Sequence, residues 1–238
     1  MLVRQGEHRG VSADRSLAWS LAGIAGAVNA AGFYAAGLYS SHMTGTVSTM
    51  ADHLALGEMG AFGMALAIVA TFIAGAMVSA MLINAGQRRG LSAIYAYSVC
   101  LEALLLAGLG AADVWLHELR GAALVMGLSF LMGLQNAIVT RISNARVRTT
   151  HVTGMITDIG IELGNLIDDL YHRNGRDRVR GTLDKLKTHL PTVGSFFLGG
   201  VLGVLGYSAW GAMLFVTLAI ILAGFAAPVI FAEWRTAE

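Results

Sequence analysis

Ser41-His42-Met43-Thr44-Gly45 and Thr150-His151-Val152-Thr153-Gly154 are two copies of one stretch. The first continues through Ser48, Thr49 and Asp52, the second through Thr157, Asp158 and Glu162. The paired histidines, threonines and glycines keep one common offset. Upstream of each copy lies a second echo, Gly26-Ala27-Val28-Asn29-Ala30 against Gly133-Leu134-Gln135-Asn136-Ala137. Two matched landmarks in the same order mean that half the chain is repeated, and a repeat has to be recognised before a fold is assigned.

The residues around the repeated stretch read as membrane helix. Hydrophobic residues make up 55% of the chain and charged residues only 13%, against roughly 25% charged in soluble domains. Apolar runs recur at about the 20 residues that cross a hydrocarbon core as helix. Cys100 is the single cysteine, which excludes an internal disulfide and a thiolate metal site. Leu17 to Tyr39 is too long for the apolar core of a signal peptide and reads as a retained first helix.

Six spans are expected, at about 16–39, 59–84, 91–112, 120–141, 192–208 and 210–231. Each half is then span, motif, span, span, with repeat one at about 16–112 and repeat two at about 120–231. The polar segment 168–190 reads as a cytoplasmic connector helix after the Asn174-Gly175 turn. Its basic residues suit anionic lipid rather than nucleic acid. Pro191 suits the first turn of the fifth span, and Pro228 a kink or end in the sixth.

Basic residues orient these spans, because Lys and Arg collect at cytoplasmic helix ends. No Lys or Arg occurs between Arg15 and Arg88. Arg88 and Arg89 follow span two, Arg141, Arg146 and Arg148 follow span four, and Arg173 to Lys187 precede span five. Arg235 closes the chain. If each motif dips into the membrane and returns, all of these groups fall inside and only Arg120, near Asp113 and Glu118, falls outside. If each motif crossed fully, Arg88 and Arg89 would move outside. The expected fold is therefore an all-α membrane protein of six transmembrane helices plus two short re-entrant or broken helices, built as two inverted three-span repeats. Both termini would be cytoplasmic. Secondary transporters recurrently use this plan.

The motif itself suggests a binding site. Irregular backbone survives at membrane depth only inside protein or beside water. Gly45 and Gly154 allow close approach by a ligand. Thr44 and Thr153, or Ser40, Ser41, Thr149 and Thr150 before them, can cap the following helices. The N–H groups and dipole of a helix start favour an anion or an electron-rich group. One copy alone would read as a capped interfacial helix; two copies in inverted halves point to a site.

His42 and His151 can bind solute or carry a proton. Two histidines without a carboxylate cluster are not a metal site. Asn29, Asn136 and Gln135 either lock helices together or line the pocket. Glu102 stands mid-span in Ser98-Val99-Cys100-Leu101-Glu102-Ala103-Leu104. An ionisable group at that depth is a candidate coupling site for a proton or cation. Asp52 and Glu162 join it if the motif helices dip, and are merely solvated if those helices lie at the interface. Gly199 and Gly203 smooth one face of span five for close packing, within the bundle or in a homodimer.

At these residues the chain resembles the YoaK-like bacterial membrane proteins. The resemblance is carried by Gly26 to Ala30, Phe33, Ser41 to Thr46, Gly133 to Ala137 and Thr149 to Gly154, and it spans about 16 to 231. Asn29 stands where that family usually has Asp, and Thr46 where it usually has Asn. The resemblance implies a multi-pass inner-membrane protein and lends no activity.

The expectation is a small secondary transporter. A small anionic or polar solute would bind between the two His-x-Thr-Gly helix starts near the membrane midplane. The alternatives are a passive channel and a non-transporting scaffold or sensor. No phosphate loop, nucleophile elbow, His-Glu-x-x-His or cysteine pair occurs, so no enzyme activity, metal or other cofactor is expected. The partners expected are the bilayer, the solute and a second copy through Gly199 and Gly203.

Overall fold

The computed structural model describes residues 11–115, 120–145, 148–172 and 176–237. Arg4, Arg9, Glu118, Arg146, Arg173 and the Asn174-Gly175 turn lie outside them. The described residues form helices α1 (Val11–Ala36), α2 (Met43–Ala55), α3 (Met59–Arg88), α4 (Ile94–Trp115), α5 (Arg120–Ile142), α6 (Val152–Tyr171), α7 (Arg176–Trp210) and α8 (Met213–Ala237). Six of these, α1, α3, α4, α5, α7 and α8, are long and apolar enough to cross a membrane. Large apolar side chains such as Leu66, Met81, Leu104, Leu202 and Ile220 stand exposed on their outer faces. A surface of that kind suits lipid and would aggregate in water.

The spans alternate in direction, as hydrogen bonds between their ends require. Arg141 donates to Asn84 Oδ1 at 3.0 Å. Ser92 at the start of α4 donates to Glu233 late in α8. Arg15 in α1 donates to the Asp184 carbonyl of α7 at 2.7 Å. Arg15, Arg88, Arg141 and Arg235 therefore gather at one end of the bundle.

The two repeats interlock. The first span of each packs on the second span of the other, α1 on α7 and α5 on α3, and these are the largest interfaces of the bundle. Glycine makes both possible. A Cβ on Gly26 would strike the Phe196 carbonyl, and one on Gly199 the Gly23 carbonyl. At the other crossing a Cβ on Gly133 would strike the Phe72 carbonyl, and one on Gly75 the Phe130 carbonyl. The crossings match glycine for glycine, with backbone laid on backbone. Without a hydrophobic drive between helices in lipid, such contact is a main source of association.

Two expectations are corrected here. Residues 168–190 are not a separate connector helix: they end α6 and begin α7, which runs unbroken through Pro191. Its 35 residues extend about 50 Å, so the charged half before Pro191 projects past a core of about 30 Å. Pairing with α6 holds that half in place, for instance through Arg178 and Asp169 at 3.9 Å. Pro228 likewise lies inside α8, which continues to Ala237. The second correction concerns Gly199 and Gly203, which are buried against Gly23 and Ala27 of α1. That face is spent within the chain and is not offered to a second copy.

A leucine at Gly133 or Gly199 should drive two backbones apart and destabilise the bundle by about 1–3 kcal/mol or more. Gly60, with open space around its Cβ position, should accept leucine within about 0.5 kcal/mol. Thermal unfolding in detergent measures all three, and equal losses would contradict the crossing geometry.

Candidate functional site

Asn29 and Asn136 organise the two motifs. The chain leaves α1 through Gly37, whose φ of 75° is a backbone form that suits glycine. It then turns back along its own helix. Tyr39 stacks on Phe33 with ring centroids 4.2 Å apart. The Ser41 N–H and hydroxyl both donate to Asn29 Oδ1, at 3.0 and 2.9 Å. Asn29 precedes the end of α1 by two turns, so this stretch re-enters by about 10 Å. In the second repeat the Thr150 hydroxyl donates to Asn136 Oδ1 at 2.7 Å. Asn136 Nδ2 in turn donates to the Met132 carbonyl at 2.7 Å.

Helices α2 and α6 start from these anchors. His42 is the N-cap of α2 with φ −88° and ψ 62°, and His151 that of α6 with φ −85° and ψ 54°. Neither helix has a side-chain cap, which corrects the expected hydroxyl capping. The Ser41 and Thr150 hydroxyls are used by the asparagines. Ser40 and Thr149 are buried with unpartnered hydroxyls. Thr44 and Thr153 are exposed, and their carbonyls accept from Ser48 and Thr157. The first-turn N–H groups, which have no intrahelical partner, are left for water or a ligand.

The reason for Gly45 and Gly154 is local. A Cβ on Gly45 would collide with the His42 ring, and one on Gly154 with the His151 ring. Each imidazole is folded over its own helix start, and only glycine leaves room for it.

Each motif helix packs on the following span, α2 on α3 and α6 on α7. His42 lines a cavity of about 470 Å³ with Gly45, Thr46, Thr49, His53 and, on α3, Ile68. His151 lines one of about 330 Å³ with Arg148, Gly154, Asp158, Thr188, His189 and Thr192. Ile68 and Thr192 each lie one turn, about 6 Å, from Phe72 and Phe196 at the crossings. Both motifs thus open inside the span depth and run outward.

The expectation of one site shared by both Thr-Gly turns is corrected by this arrangement. The two histidines and two glycines line separate cavities on opposite sides of the crossings. What the halves share is a third, mostly apolar cavity of about 640 Å³, with Asn29 and Tyr39 on one side and Val152 and Ile156 on the other.

The acids separate too. Asp52 is exposed. Glu162 is buried, with one carboxylate oxygen 3.1 Å from His189 Nδ1. His53 holds the place of Glu162 in the first repeat and lies 2.6 Å from Glu58, so at this position both motif helices join a His–carboxylate pair, with the partners exchanged. Glu102 and Gln135 are buried against each other, Gln135 Nε2 donating to Glu102 Oε1 at 2.8 Å. Sequence reasoning missed Arg148 and His189 as site residues. Arg148 Nη1 lies 3.3 Å from His151 Nδ1. Arg148 stood among basic residues explained by topology alone, and His189 adjoins Glu162 only because α6 folds back on α7.

A model for a family of proteins of unknown function, DUF1275, matches residues 17–227. The chain belongs to the DUF1275 family. This membership agrees with the resemblance to YoaK-like proteins. No curated protein and no solved structure matches the chain.

Replacing Asn29 or Asn136 by leucine should free the re-entrant stretches. A lost hydrogen bond is worth about 1 kcal/mol, which shifts an opening equilibrium roughly fivefold. Thiol labelling at His42→Cys or His151→Cys, in a Cys100→Ser background, should accelerate by about that factor. Unchanged labelling rates would show that the asparagines are not the anchors.

Proposed function

We propose that this DUF1275 protein is a small secondary transporter of the bacterial inner membrane, with both termini in the cytoplasm. The observation that carries the reading is the pair of matched vestibules, one built by each inverted repeat, on opposite sides of the interlocked crossings. Each vestibule ends on an uncapped helix start under a histidine. Alternating access requires a solute to be reachable from one side at a time, and inverted repeats that exchange conformations supply this. Separate cavities favour such gating over a passive channel.

The solute is a small anionic or polar molecule. The cavity at His151 has a volume at the small-ligand end of binding sites. Its Arg148 guanidinium and the start of α6 draw an anionic group, while Asp158, Thr188 and Thr192 offer partners for hydroxyl or amino groups. The cavity at His42 is more apolar and lacks a counterpart to Arg148, so the tighter of the two half-sites is on the basic side. By the distribution of Lys and Arg that side faces the cytoplasm. No residue here is assigned a bond-making or bond-breaking role.

Uptake of a panel of labelled carboxylates, phosphate and amino acids into proteoliposomes tests this. Arg148→Ala removes a charged hydrogen-bonding group worth about 1.5–3 kcal/mol, so uptake at low solute concentration should fall roughly tenfold or more. Gly154→Leu, which displaces His151, should do the same. Undiminished uptake in both variants would refute the site, and no uptake of any solute by the wild type would refute the function.

A further inference from the structure

Glu102 belongs to neither vestibule. It lies in the middle of α4 and is 2% exposed, facing Gln135 of α5 at 0%. One hydrogen bond joins them, from Gln135 Nε2 to Glu102 Oε1. The other two oxygens of the pair, Glu102 Oε2 and Gln135 Oε1, have no partner.

No cation faces this carboxyl. Helix α4 packs on α3, α5 and α8. Helix α3 carries no charged residue before Arg88, α5 none between Arg120 and Arg141, and α8 none before Glu233. None of the three carries a histidine, cysteine or tyrosine. On α4 itself the remaining titratable groups are Tyr95, Tyr97, Cys100 and Asp113. Tyr97 accepts from Trp234 near one end, and Asp113 accepts from Tyr207 toward the other. A carboxylate held by a single amide donor in a lipid-embedded core would leave most of its lone pairs bare, at a cost of several kcal/mol.

The neutral acid removes that cost. Its O–H supplies the donor that Gln135 Oε1 lacks, and its carbonyl already accepts from Gln135 Nε2. A carboxylic acid and a primary amide are complementary in this way, two parallel hydrogen bonds closing one ring.

The pair also marks where the repeats differ. Val28 holds the place of Gln135 in the first repeat. Leu214 packs over Gly206 as Ile94 packs over Gly86, and this register places Leu222 opposite Glu102. Both Val28 and Leu222 are buried and apolar. The seam of α4 on α5 is closed, while the matching seam of α8 on α1 has no comparable packing.

We propose that Glu102 is a proton-binding latch: the acid form pairs with Gln135 through two hydrogen bonds and holds α4 against α5, and loss of the proton to water releases that seam. The coupled ion of the transport reading is then a proton. This consequence rests on that reading, whereas the latch itself does not.

The test uses the full chain in liposomes. Infrared spectra at neutral pH should contain the C=O absorption of a buried carboxylic acid. That band should be lost in Glu102→Gln and shifted in Gln135→Leu, which removes the amide partner. Identical carboxylic-acid absorption in the wild type and Glu102→Gln would overturn the proposal.

The seam is read by disulfide formation between Leu109→Cys and Gly127→Cys, side by side on α4 and α5, in a Cys100→Ser background. Its rate relative to the same pair carrying Glu102→Gln should fall as pH rises and the band disappears. Equal pH dependence in the two backgrounds would overturn the latch. Pairing that responds to Glu102 in a protein that moves no solute would uphold the latch and remove the transport reading alone.

Discussion

Backbone touches backbone at two places in this protein, and the rest of its architecture depends on them. Gly26 and Gly199 let α1 and α7 meet at van der Waals distance, and Gly75 and Gly133 do the same for α3 and α5. In lipid an apolar side chain gains nothing by leaving tails for another helix, so close main-chain contact has to supply the attraction. Because each contact joins the first span of one repeat to the second span of the other, neither repeat can fold as a finished unit. The exchange also fixes where the motif helices lie, since α2 is carried by α3 and α6 by α7.

Re-entry needs a second device. A chain that folds back to membrane depth exposes polar backbone where water is scarce, and each unpaired group is costly. Asn29 meets part of that cost from within the first span by accepting from the Ser41 N–H, while Asn136 anchors the second stretch by accepting from the Thr150 hydroxyl. The helix starts beyond them are left uncapped, with an imidazole laid over a glycine. Donors left without an intrahelical partner beside a cavity are the reason for reading the motifs as functional.

The two halves share a plan but not a chemistry. One vestibule carries Arg148, Asp158 and His189, the other a more apolar lining. One seam is joined by Glu102 and Gln135 where its counterpart has Leu222 and Val28. These few polar substitutions are where the two halves differ in chemistry.

Much of this was legible in the residues. The repeated His-x-Thr-Gly, the Asn-bearing echoes and six apolar runs were enough to establish the helical membrane fold. The distribution of arginine led to motifs that dip, and the ends of the spans meet accordingly. Local pattern failed where a contact is made between distant segments. Pro191 read as a helix start because its missing N–H is harmless there, but α7 continues through it, held by α6. Thr44 and Thr153 read as caps because threonine often is one, but asparagines on another helix had already set the backbone. The common site of the two Thr-Gly turns was inferred from symmetry. Symmetry relates two places without making them one, and the two His-Gly pairs line separate cavities. Periodicity, composition and repetition are properties of a single strand of sequence and settle element type and number. Which glycine meets which carbonyl, and which oxygen is left without a partner, depends on three-dimensional packing between residues far apart in the chain, and only the tertiary structure decides it.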